Sequence, residues 1–330
     1  MGSGLLDLKL IMPDEDQDRV SQSGEPYELL IIGGGPAGMT AAVYSARKQI
    51  RTLLVSEDLG GQLLWTSDIE NYMGYQYITG RELTDKFKSQ MEQFPIVDII
   101  VGDSVGKLAR EDDQFVATTA SDRKYIGKTV IIASGKRSRP LNVPGERELI
   151  GRGVSYCATC DAPLFKGKDV AVIGGGNSGL TAVVDLMGIA SKIYVVNISP
   201  TWQADPVIVE KTEGAENVTP LLSHRVTSIR GENVVTGITV ESLGTQESKE
   251  LSVQGVFIEI GLLPNSEFVS NLVQLNRWGE IIVDCGCRTN VPGVFGAGDV
   301  TSVPEKQISV AIGEGSKAAL SAYKYLLMHT

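Results

Sequence analysis

The sequence predicts an α/β fold built around two copies of one strand–loop–helix–strand unit. In the first copy, the apolar run at 27–32 leads into a glycine-rich loop at 33–38, an alanine-rich helical stretch predicted at Met39–Lys48 and a second apolar run at Thr52–Val55. The same order returns from residue 169, where another apolar run leads into a second glycine-rich loop at 174–179. Short apolar runs that alternate with helical segments are typical of parallel sheets covered by helices. The repetition therefore indicates two Rossmann-like units.

The first glycine loop carries a pattern that binds the pyrophosphate of a dinucleotide. Gly33, Gly35 and Gly38 allow the tight turn, the close approach of the phosphates and the packing of helix on strand. Glu57 follows the second strand, close to the roughly 20-residue spacing of the acid that holds an adenosine ribose. Glycines alone are a weak signal, but strand, loop, helix, strand and acid together predict a dinucleotide site.

The second unit differs at the end of its second strand. The position equivalent to Glu57 falls at Asn197-Ile198-Ser199, which has neither an acid nor a base. No arginine occurs between Gly153 and His224. This unit therefore keeps the loop for a pyrophosphate but lacks the side chains that select an adenosine ribose.

Cys157 and Cys160 lie between the two units, separated by two residues. Such a pair can close a small disulfide ring, and at the opening of a helix its thiolate is stabilised by backbone N–H groups. Asp161, directly after the pair, can exchange a proton with a sulfur whose charge changes. The pattern predicts a disulfide that opens and closes, with half of a zinc site or two incidental core thiols as the alternatives.

Composition narrows the class of protein and of partner. Hydrophobic residues make up 42% and charged residues 21% of the chain, proportions that are ordinary for a soluble globular protein. The net charge of −10 argues against nucleic acid or an anionic membrane surface as partner. No apolar run reaches the roughly 18 residues of a membrane span, and the N-terminus does not resemble a signal peptide. A cytoplasmic setting is expected, with residues 1–25 as a flexible acidic tail.

The remaining two cysteines, Cys285 and Cys287, are separated by one glycine. We expect two unpaired thiols, with a strained auxiliary disulfide as the alternative. No metal site is predicted.

These motifs resemble those of the low-molecular-weight thioredoxin reductases, over nearly the whole chain from Glu28 to Leu327. The motifs that carry the resemblance are Gly33-Gly34-Gly35-Pro36-Ala37-Gly38, Gly60-Gly61-Gln62-Leu63, Glu70-Asn71-Tyr72, Cys157-Ala158-Thr159-Cys160-Asp161, Gly174-Gly175-Gly176-Asn177-Ser178-Gly179 and Gly296-Ala297-Gly298-Asp299-Val300. The resemblance implies an FAD-binding domain formed by 26–138 and 267–330, with an inserted nucleotide-binding-like domain at 139–266 that carries the disulfide. It also implies a homodimer, a domain rotation and a thioredoxin-like partner.

The resemblance further implies roles for individual residues. Cys160 would face the flavin, Cys157 would attack the disulfide of the partner, and Asp161 would handle protons. The residues implied to bind FAD are Gly33, Gly35, Pro36, Ala37, Gly38, Glu57, Gly61, Gln62, Asn71, Gly135, Asp299, Gln307 and Ile308.

One departure from the family pattern concerns the electron donor. The family carries a His-Arg-Arg element for the 2′-phosphate of NADPH, whereas this chain has the neutral stretch 197–204. A doubly charged phosphate needs paired cations, so NADPH is not expected to be an efficient donor. Related members that do not use pyridine nucleotides are fed by ferredoxin or carry a second flavin.

A second FAD in the vacated site is therefore one possibility, and ferredoxin or a dithiol as donor are others. The residues that would form this second site are Gly174, Gly176, Asn177, Ser178, Gly179, Asn197 and Trp202. Trp202 could stack on a flavin or adenine ring, or simply pack on its own domain.

The sequence thus predicts an FAD-dependent dithiol–disulfide oxidoreductase of the thioredoxin-reductase type that does not use NADPH well. Two alternatives remain open at this point: an NAD(P)H-dependent thioredoxin reductase with an atypical pocket, and a flavin-bearing redox sensor whose disulfide only switches conformation.

Overall fold

The computed structural model describes residues 26–66 and 69–329, without the side chain of Trp65. The predicted acidic tail, 1–25, lies outside the described residues. The chain divides into two compact units. The first contains the described residues up to Leu63, Glu82–Gly135 and the described residues from Pro264 onward, and the second contains Leu64–Arg81 and Lys136–Leu263. The predicted domain limits 26–138, 139–266 and 267–330 stay predictions.

The secondary structure alternates between strands and helices through much of the chain. The strands are β1 (Tyr27–Gly34), β2 (Thr52–Leu59), β3 (Val97–Val101), β4 (Val105–Glu111), β5 (Gln114–Thr119), β6 (Lys124–Ile132), β7 (Lys136–Ser138), β8 (Val154–Ser155), β9 (Asp169–Ile173), β10 (Lys192–Asn197), β11 (Val218–Leu222), β12 (His224–Gly231), β13 (Val235–Ser242), β14 (Ser248–Leu251), β15 (Gly255–Ile258), β16 (Leu262–Pro264) and β17 (Val294–Gly296). The helices are α1 (Pro36–Arg47), α2 (Gly80–Glu92), α3 (Ala158–Asp161), α4 (Asn177–Met187), α5 (Pro206–Glu213) and α6 (Ile308–His329), with 3₁₀ segments at Gly61–Trp65, Ala162–Phe165 and Glu267–Val269.

A seven-stranded sheet forms the centre of the first unit, in the order β3-β2-β1-β6-β5-β4, with β17 also paired to β6. β1 pairs in parallel with β2 and with β6, so Ile31 lies between Leu54 and Ile131. The apolar runs of β1 and β6 are buried because helices α1 and α6 cover one face of this sheet. The carboxyl ends of β1, β2, β6 and β17 therefore share one edge.

The second unit contains a five-stranded parallel sheet in the order β11-β10-β9-β15-β8 and an antiparallel sheet of β12, β13 and β14. β9, which leads to the second glycine loop, pairs on one side with β10 and on the other with β15. β15 pairs in turn with β8, which leads to the cysteine pair. The carboxyl ends of β9, β15 and β8 therefore lie at one edge of the parallel sheet.

Two elements extend beyond their predicted limits. Helix α1 begins at Pro36, although the alanine-rich pattern predicts a start at Met39. Proline fits the first position of a helix, where its missing N–H has no intrahelical partner to lose. β2 continues past Val55 to Leu59, so Glu57 lies within the strand rather than after it.

This architecture confirms the predicted α/β fold with two Rossmann-like units, the second inserted into the first. In the part of the chain that the structure describes, no helix is both long and apolar enough to cross a bilayer.

Candidate functional site

The first glycine loop has the shape that a dinucleotide pyrophosphate requires. Gly33 has a φ of +110°, and a Cβ there would lie 2.4 Å from the carbonyl oxygen of Ala133. A Cβ on Gly38 would lie 1.8 Å from the carbonyl oxygen of Gly33, so helix α1 starts in close contact with β1. A Cβ on Gly35, in contrast, would meet no atom within 4 Å. The loop is thus closed towards the sheet and open at Gly35, as the approach of a phosphate requires.

A second set of predicted residues lies at the same sheet edge. Nε2 of Gln62 donates a hydrogen bond of 2.9 Å to Oδ2 of Asp299. A Cβ on Gly61 would lie 3.4 Å from Cα of Gly35, which brings this segment next to the first glycine loop. Four of the predicted flavin-binding residues are therefore close together in the folded chain.

The other predicted FAD residues of the first unit lie on the elements around this edge. Pro36 and Ala37 form the first turn of α1, and Ile308 is the first residue of α6. Gln307 precedes α6 and its carbonyl accepts a hydrogen bond from the Ala311 N–H at 2.9 Å. Gly135 follows β6 with a φ of +66°.

Glu57, the predicted ribose acid, is exposed in β2. Its neighbour Ser56 was not predicted: the Ser56 Oγ accepts a 2.8 Å hydrogen bond from the Gly34 N–H and so supports the glycine loop. Short polar residues are common at strand ends, so the sequence offers no specific signal for this role. Together these residues fit an FAD, with Gly33, Gly35 and Gly38 as the pyrophosphate loop.

In the second unit, Cys157 and Cys160 are joined by a disulfide. Cys157 is the N-cap of α3, and its sulfur accepts a hydrogen bond from the Cys160 N–H at 3.2 Å. Both sulfurs are engaged with each other, which favours the redox interpretation over a zinc site. The pair lies at the opening of the short helix α3.

Asp161 is held next to this disulfide by a serine. The Ser155 hydroxyl donates a 2.6 Å hydrogen bond to Oδ2 of Asp161, and the Cys157 N–H donates to Ser155 Oγ at 3.1 Å. The hydroxyl therefore links the acid to the backbone of the first cysteine. Ser155 was not predicted, although its position two residues before a CxxC pair is visible in the sequence.

Asn71 belongs to the compact unit of the disulfide rather than to that of the first glycine loop. It lines a cavity of about 130 Å³ in the second unit. The other lining residues are Glu70, Thr159, Cys160, Pro163 and Leu164. Cys160 is therefore the cysteine that borders this cavity.

Glu146 is a further acid near the cysteines that sequence reasoning missed. It is only 1% exposed, and it accepts hydrogen bonds from the N–H groups of Leu141 and Asn142 at 2.8 and 2.6 Å. The hydroxyl of Tyr156 donates to its Oε1 at 2.7 Å. Burial and this hydrogen bond raise the pKa of Tyr156, so the residue before Cys157 is a neutral phenol.

The second glycine loop is closed towards its sheet in the same way as the first. A Cβ on Gly179 would lie 2.1 Å from the carbonyl oxygen of Gly174. Gly176 is the N-cap of α4, and Asn177 and Ser178 are its first two residues. The loop has the Rossmann form that the sequence predicts.

The segment after β10 folds back over this loop. The Gln203 N–H donates to the carbonyl of Gly175 at 2.8 Å, and Gln203 forms a parallel β-bridge with Gly176. Nδ2 of Asn197, which is buried, donates to the carbonyl of Thr201 at 3.0 Å. The neutral stretch that replaces the family's basic element thus makes internal contacts with the glycine loop.

Two carboxylates contact the first turn of α4. Nδ2 of Asn177 donates to Oδ2 of Asp205 at 3.1 Å, and the Asp205 N–H donates to Oδ1 of Asn177 at 2.7 Å. The Ser178 hydroxyl donates to Oε2 of Glu259 at 2.5 Å. Neither acid was predicted, but Glu259 directly follows the apolar run of β15, which is a visible signal.

Comparison with known proteins places this geometry in a family. The sequence profile of the pyridine nucleotide-disulphide oxidoreductases matches residues 27–315. The chain belongs to this family. The family binds FAD and comprises flavin-dependent disulfide oxidoreductases, which confirms the expected flavin chemistry at the family level.

The similar proteins include curated sequences and a solved structure. The F subunit of alkyl hydroperoxide reductase in Escherichia coli strain K12 is 44% identical over 307 residues, which cover 92% of this chain and 59% of that protein. Its counterpart in Staphylococcus aureus strain MSSA476 is 42% identical over 306 residues, 93% of this chain and 60% of that protein. The chain therefore spans about 60% of the length of these relatives. The thioredoxin reductase of Streptococcus pyogenes MGAS5005 superposes with a TM-score of 0.86 at 37% identity, covering 92% of this chain and 98% of that one.

In the second unit of this chain, Trp202 packs on its own domain. The indole N–H donates a 2.9 Å hydrogen bond to Oε1 of Glu213, and the ring lies against the core beneath α4. This arrangement is the packing on its own domain that was one of the two expectations; the stacking of Trp202 on a ring stays a prediction.

Cys285 and Cys287 are two reduced thiols, one exposed and one buried. Burial raises the pKa of Cys287 to about 11, so its thiol is neutral at physiological pH. The strained auxiliary disulfide is absent between these two described residues.

Proposed function

We propose that the protein is an FAD-dependent dithiol–disulfide oxidoreductase that acts on a thioredoxin-like partner through Cys157 and Cys160 and does not use NADPH efficiently. The observation that carries the proposal is the second glycine loop. The chain covers this loop with its own segment, and the first turn of α4 is bonded to Asp205 and Glu259.

NADPH binding requires cations that hold its 2′-phosphate. The stretch 197–205 contains neither lysine nor arginine, and the side chains of Asn197, Trp202 and Asp205 are already hydrogen-bonded to other groups of the second unit. Each missing charge-assisted hydrogen bond costs about 1.5–3 kcal/mol of binding free energy. The loss of two such contacts corresponds to a decrease of roughly two to four powers of ten in affinity.

The pyrophosphate of a dinucleotide would approach the second glycine loop. The side chains of Asn177 and Ser178 lie where a dinucleotide would approach the N-terminus of α4. Asn177 is hydrogen-bonded to the carboxylate of Asp205, and Ser178 is hydrogen-bonded to that of Glu259. An incoming pyrophosphate, which is negatively charged, would therefore meet two acidic side chains. This repulsion disfavours NADPH, and it also disfavours a second FAD at the same loop.

We therefore favour a redox protein or a dithiol as the electron donor. Ferredoxin is the candidate that the resemblance suggests. Because the chain has a net charge of −10, an acidic donor would need a local basic surface, for which Lys136, Arg137 and Arg139 are the candidates.

The chemistry of the dithiol follows from the residues around it. Bound FAD supplies the two-electron carrier of the reaction. The Cys157 thiolate attacks one sulfur of the partner's disulfide, the partner's S–S bond breaks, and a mixed disulfide forms. Cys160 then attacks Cys157, which releases the partner as a dithiol and closes Cys157–Cys160. Asp161, held by Ser155, exchanges the protons of these sulfurs.

A second candidate function has specific support. Membership of the pyridine nucleotide-disulphide oxidoreductases favours an NAD(P)H-dependent thioredoxin reductase with an atypical pocket. Homodimer formation and a cytoplasmic setting stay predictions under either function.

Steady-state turnover separates these candidates. The full chain is supplied with oxidised thioredoxin and, in parallel, with reduced ferredoxin or NADPH, and Cys157→Ser serves as the inactive control. We expect turnover with reduced ferredoxin to exceed that with NADPH by about a hundredfold or more, from the lost phosphate contacts. Equal or faster turnover with NADPH would favour the second candidate. A lack of turnover with either donor and with a dithiol would favour a redox sensor.

A further inference from the structure

Glu259 directly follows β15, the strand that lies between β9 and β8 in the parallel sheet of the second unit. β15 pairs with β9 through Ile258 and Ile173, and β9 leads to the second glycine loop. On its other side β15 pairs with β8 through Phe257 and Ser155, and β8 leads to the cysteine pair. Because the carboxyl ends of parallel strands share one edge, Glu259 lies between the loop and the disulfide.

Both oxygens of the Glu259 carboxylate are used in this position. Oε2 accepts the hydrogen bond from the hydroxyl of Ser178, in the glycine loop, at 2.5 Å. Oε1 accepts a longer hydrogen bond of 3.4 Å from the N–H of Ala158, the residue after Cys157. One carboxylate therefore joins the first turn of α4 to the first turn of α3.

Glu259 is partly buried and lies near a second acid, Asp185. Burial, and to a lesser extent the charge of Asp185, raise the pKa of Glu259. Asp185 is itself bonded to α3, since its Oδ2 accepts a 3.2 Å hydrogen bond from the hydroxyl of Thr159. The two residues between the cysteines therefore each contact an acid: Ala158 contacts Glu259 and Thr159 contacts Asp185.

The titratable groups on the segments bonded to Glu259 are few. They are Asp185 on α4, and Tyr156, Cys157, Cys160 and Asp161 on the segment that contains α3; Tyr156 is the neutral phenol bonded to Glu146. A negative carboxylate near this segment opposes the formation of a second negative charge on a reduced sulfur.

We propose that Glu259 is a positioning residue that holds the cysteine segment against the second glycine loop and sets the acidity of Cys157. When Glu259 is ionised, its charge disfavours the Cys157 thiolate; when Glu259 takes up a proton, the thiolate forms more readily. The two groups titrate as a coupled pair. This inference deepens the proposed function, because it takes Cys157 as the attacking sulfur.

Alkylation of the reduced protein tests the inference. The disulfide is reduced with excess dithiothreitol, the reductant is removed, and iodoacetamide is added at a series of pH values. The thiolate sulfur forms a bond to the methylene carbon, the C–I bond breaks and iodide leaves, so the rate follows the thiolate fraction. Peptide mass spectrometry reports Cys157 and Cys160 separately.

Glu259→Gln keeps an acceptor oxygen but removes the charge. We expect the midpoint of the Cys157 alkylation profile to move down by about one pH unit, with an increase of about tenfold in rate near neutral pH. Glu216→Gln is the matched control, because this exposed acid precedes β11 at the opposite edge of the sheet. It should leave the midpoint unchanged.

Ser178→Ala provides a second variant in case Glu259→Gln does not fold, since the Ser178 side chain is exposed. The Ser178 hydrogen bond lowers the pKa of Glu259, so its loss keeps Glu259 neutral to higher pH. The Cys157 midpoint should then move in the same direction by a smaller amount. An unchanged midpoint in both variants, or an equal shift in Glu216→Gln, would overturn the inference. The assay needs neither FAD nor an electron donor, so its failure leaves the donor assignment untouched.

Discussion

Gln62 and Asp299 lie 237 positions apart in the sequence, yet Nε2 of Gln62 donates a 2.9 Å hydrogen bond to Oδ2 of Asp299. This contact ties the segment after β2 to the segment after β17. Both segments follow parallel strands of one sheet, at the edge where the first glycine loop also lies. The predicted FAD site is therefore assembled from the two ends of the chain.

Asp299→Ala should weaken FAD binding. If the carboxylate accepts a hydrogen bond from the cofactor, its loss costs about 1.5–3 kcal/mol, or about ten- to a hundredfold in Kd. Titration of the apoprotein with FAD, followed by flavin fluorescence, measures this change. Asp113→Ala is the control, because its side chain is fully exposed in the turn after β4. An equal Kd in both variants would contradict the role of Asp299.

The variants Gly38→Ala and Gly35→Ala distinguish a glycine that is needed for folding from one that is needed for FAD binding. Gly38→Ala places a Cβ 1.8 Å from the Gly33 carbonyl oxygen, which should destabilise even the apoprotein by about 1–3 kcal/mol or more. Gly35→Ala meets no atom within 4 Å, so it should retain the unfolding free energy of the apoprotein and lose FAD affinity. Urea unfolding and FAD titration give the two quantities. Gly35→Ala with unchanged FAD affinity would show that the phosphate does not approach here.

Cys160→Ser should trap a mixed disulfide with the partner. If Cys157 attacks the partner and Cys160 resolves the product, the variant stops at the Cys157–partner bond. Non-reducing gel electrophoresis with oxidised thioredoxin would show the covalent complex in Cys160→Ser but not in Cys157→Ser. Cys285→Ser is a suitable control, since this exposed thiol is outside the disulfide. A complex that forms only in Cys157→Ser would reverse the two roles.

The positions where the parallel strands end, and where the glycine loops begin, can be predicted from the sequence because both features have strong local signals. The apolar run of β9 starts and ends where predicted, at Asp169 and Ile173. The first glycine loop lies at the end of β1, since its tight turn and close packing depend on glycine itself. These features depend on a few neighbouring residues, so a single sequence suffices.

The features that sequence reasoning missed depend on contacts between distant segments. Glu259 and Ser178 are 81 positions apart, and only the order of the strands brings them together. Asp205 likewise reaches Asn177 because the segment after β10 folds back over the loop, which no local pattern indicates. Asn71 has a recognisable family motif, but its assignment to the second unit follows from tertiary contacts alone.

We expect Glu314 to make the stability of the first unit depend on pH. It is 2% exposed, its Oε2 accepts the Gly298 N–H at 2.8 Å, and its Oε1 has no hydrogen-bond partner among the described residues. Burial raises its pKa above the ordinary value of 4.5. A carboxyl group with a raised folded pKa stabilises the fold below its unfolded pKa, and this contribution is lost as the pH rises through the folded pKa.

Glu314→Gln should therefore be more stable than the natural protein at neutral pH, and the difference should shrink as the pH falls towards 4.5. Urea unfolding midpoints over this range measure the effect, with the exposed Glu111→Gln as the control. A difference that stays constant with pH would mean that Glu314 does not titrate in the folded state.

The most direct test of the whole account is an anaerobic titration of the FAD-loaded protein with NADPH, followed by the flavin absorbance. We compare the natural protein with Ile198→Arg, which places a cation at a 70% exposed position after β10, and with Ile198→Gln as its neutral control. We expect negligible bleaching in the natural protein and in Ile198→Gln, and faster bleaching by about tenfold or more in Ile198→Arg. Rapid, stoichiometric bleaching of the natural protein by NADPH would contradict the account.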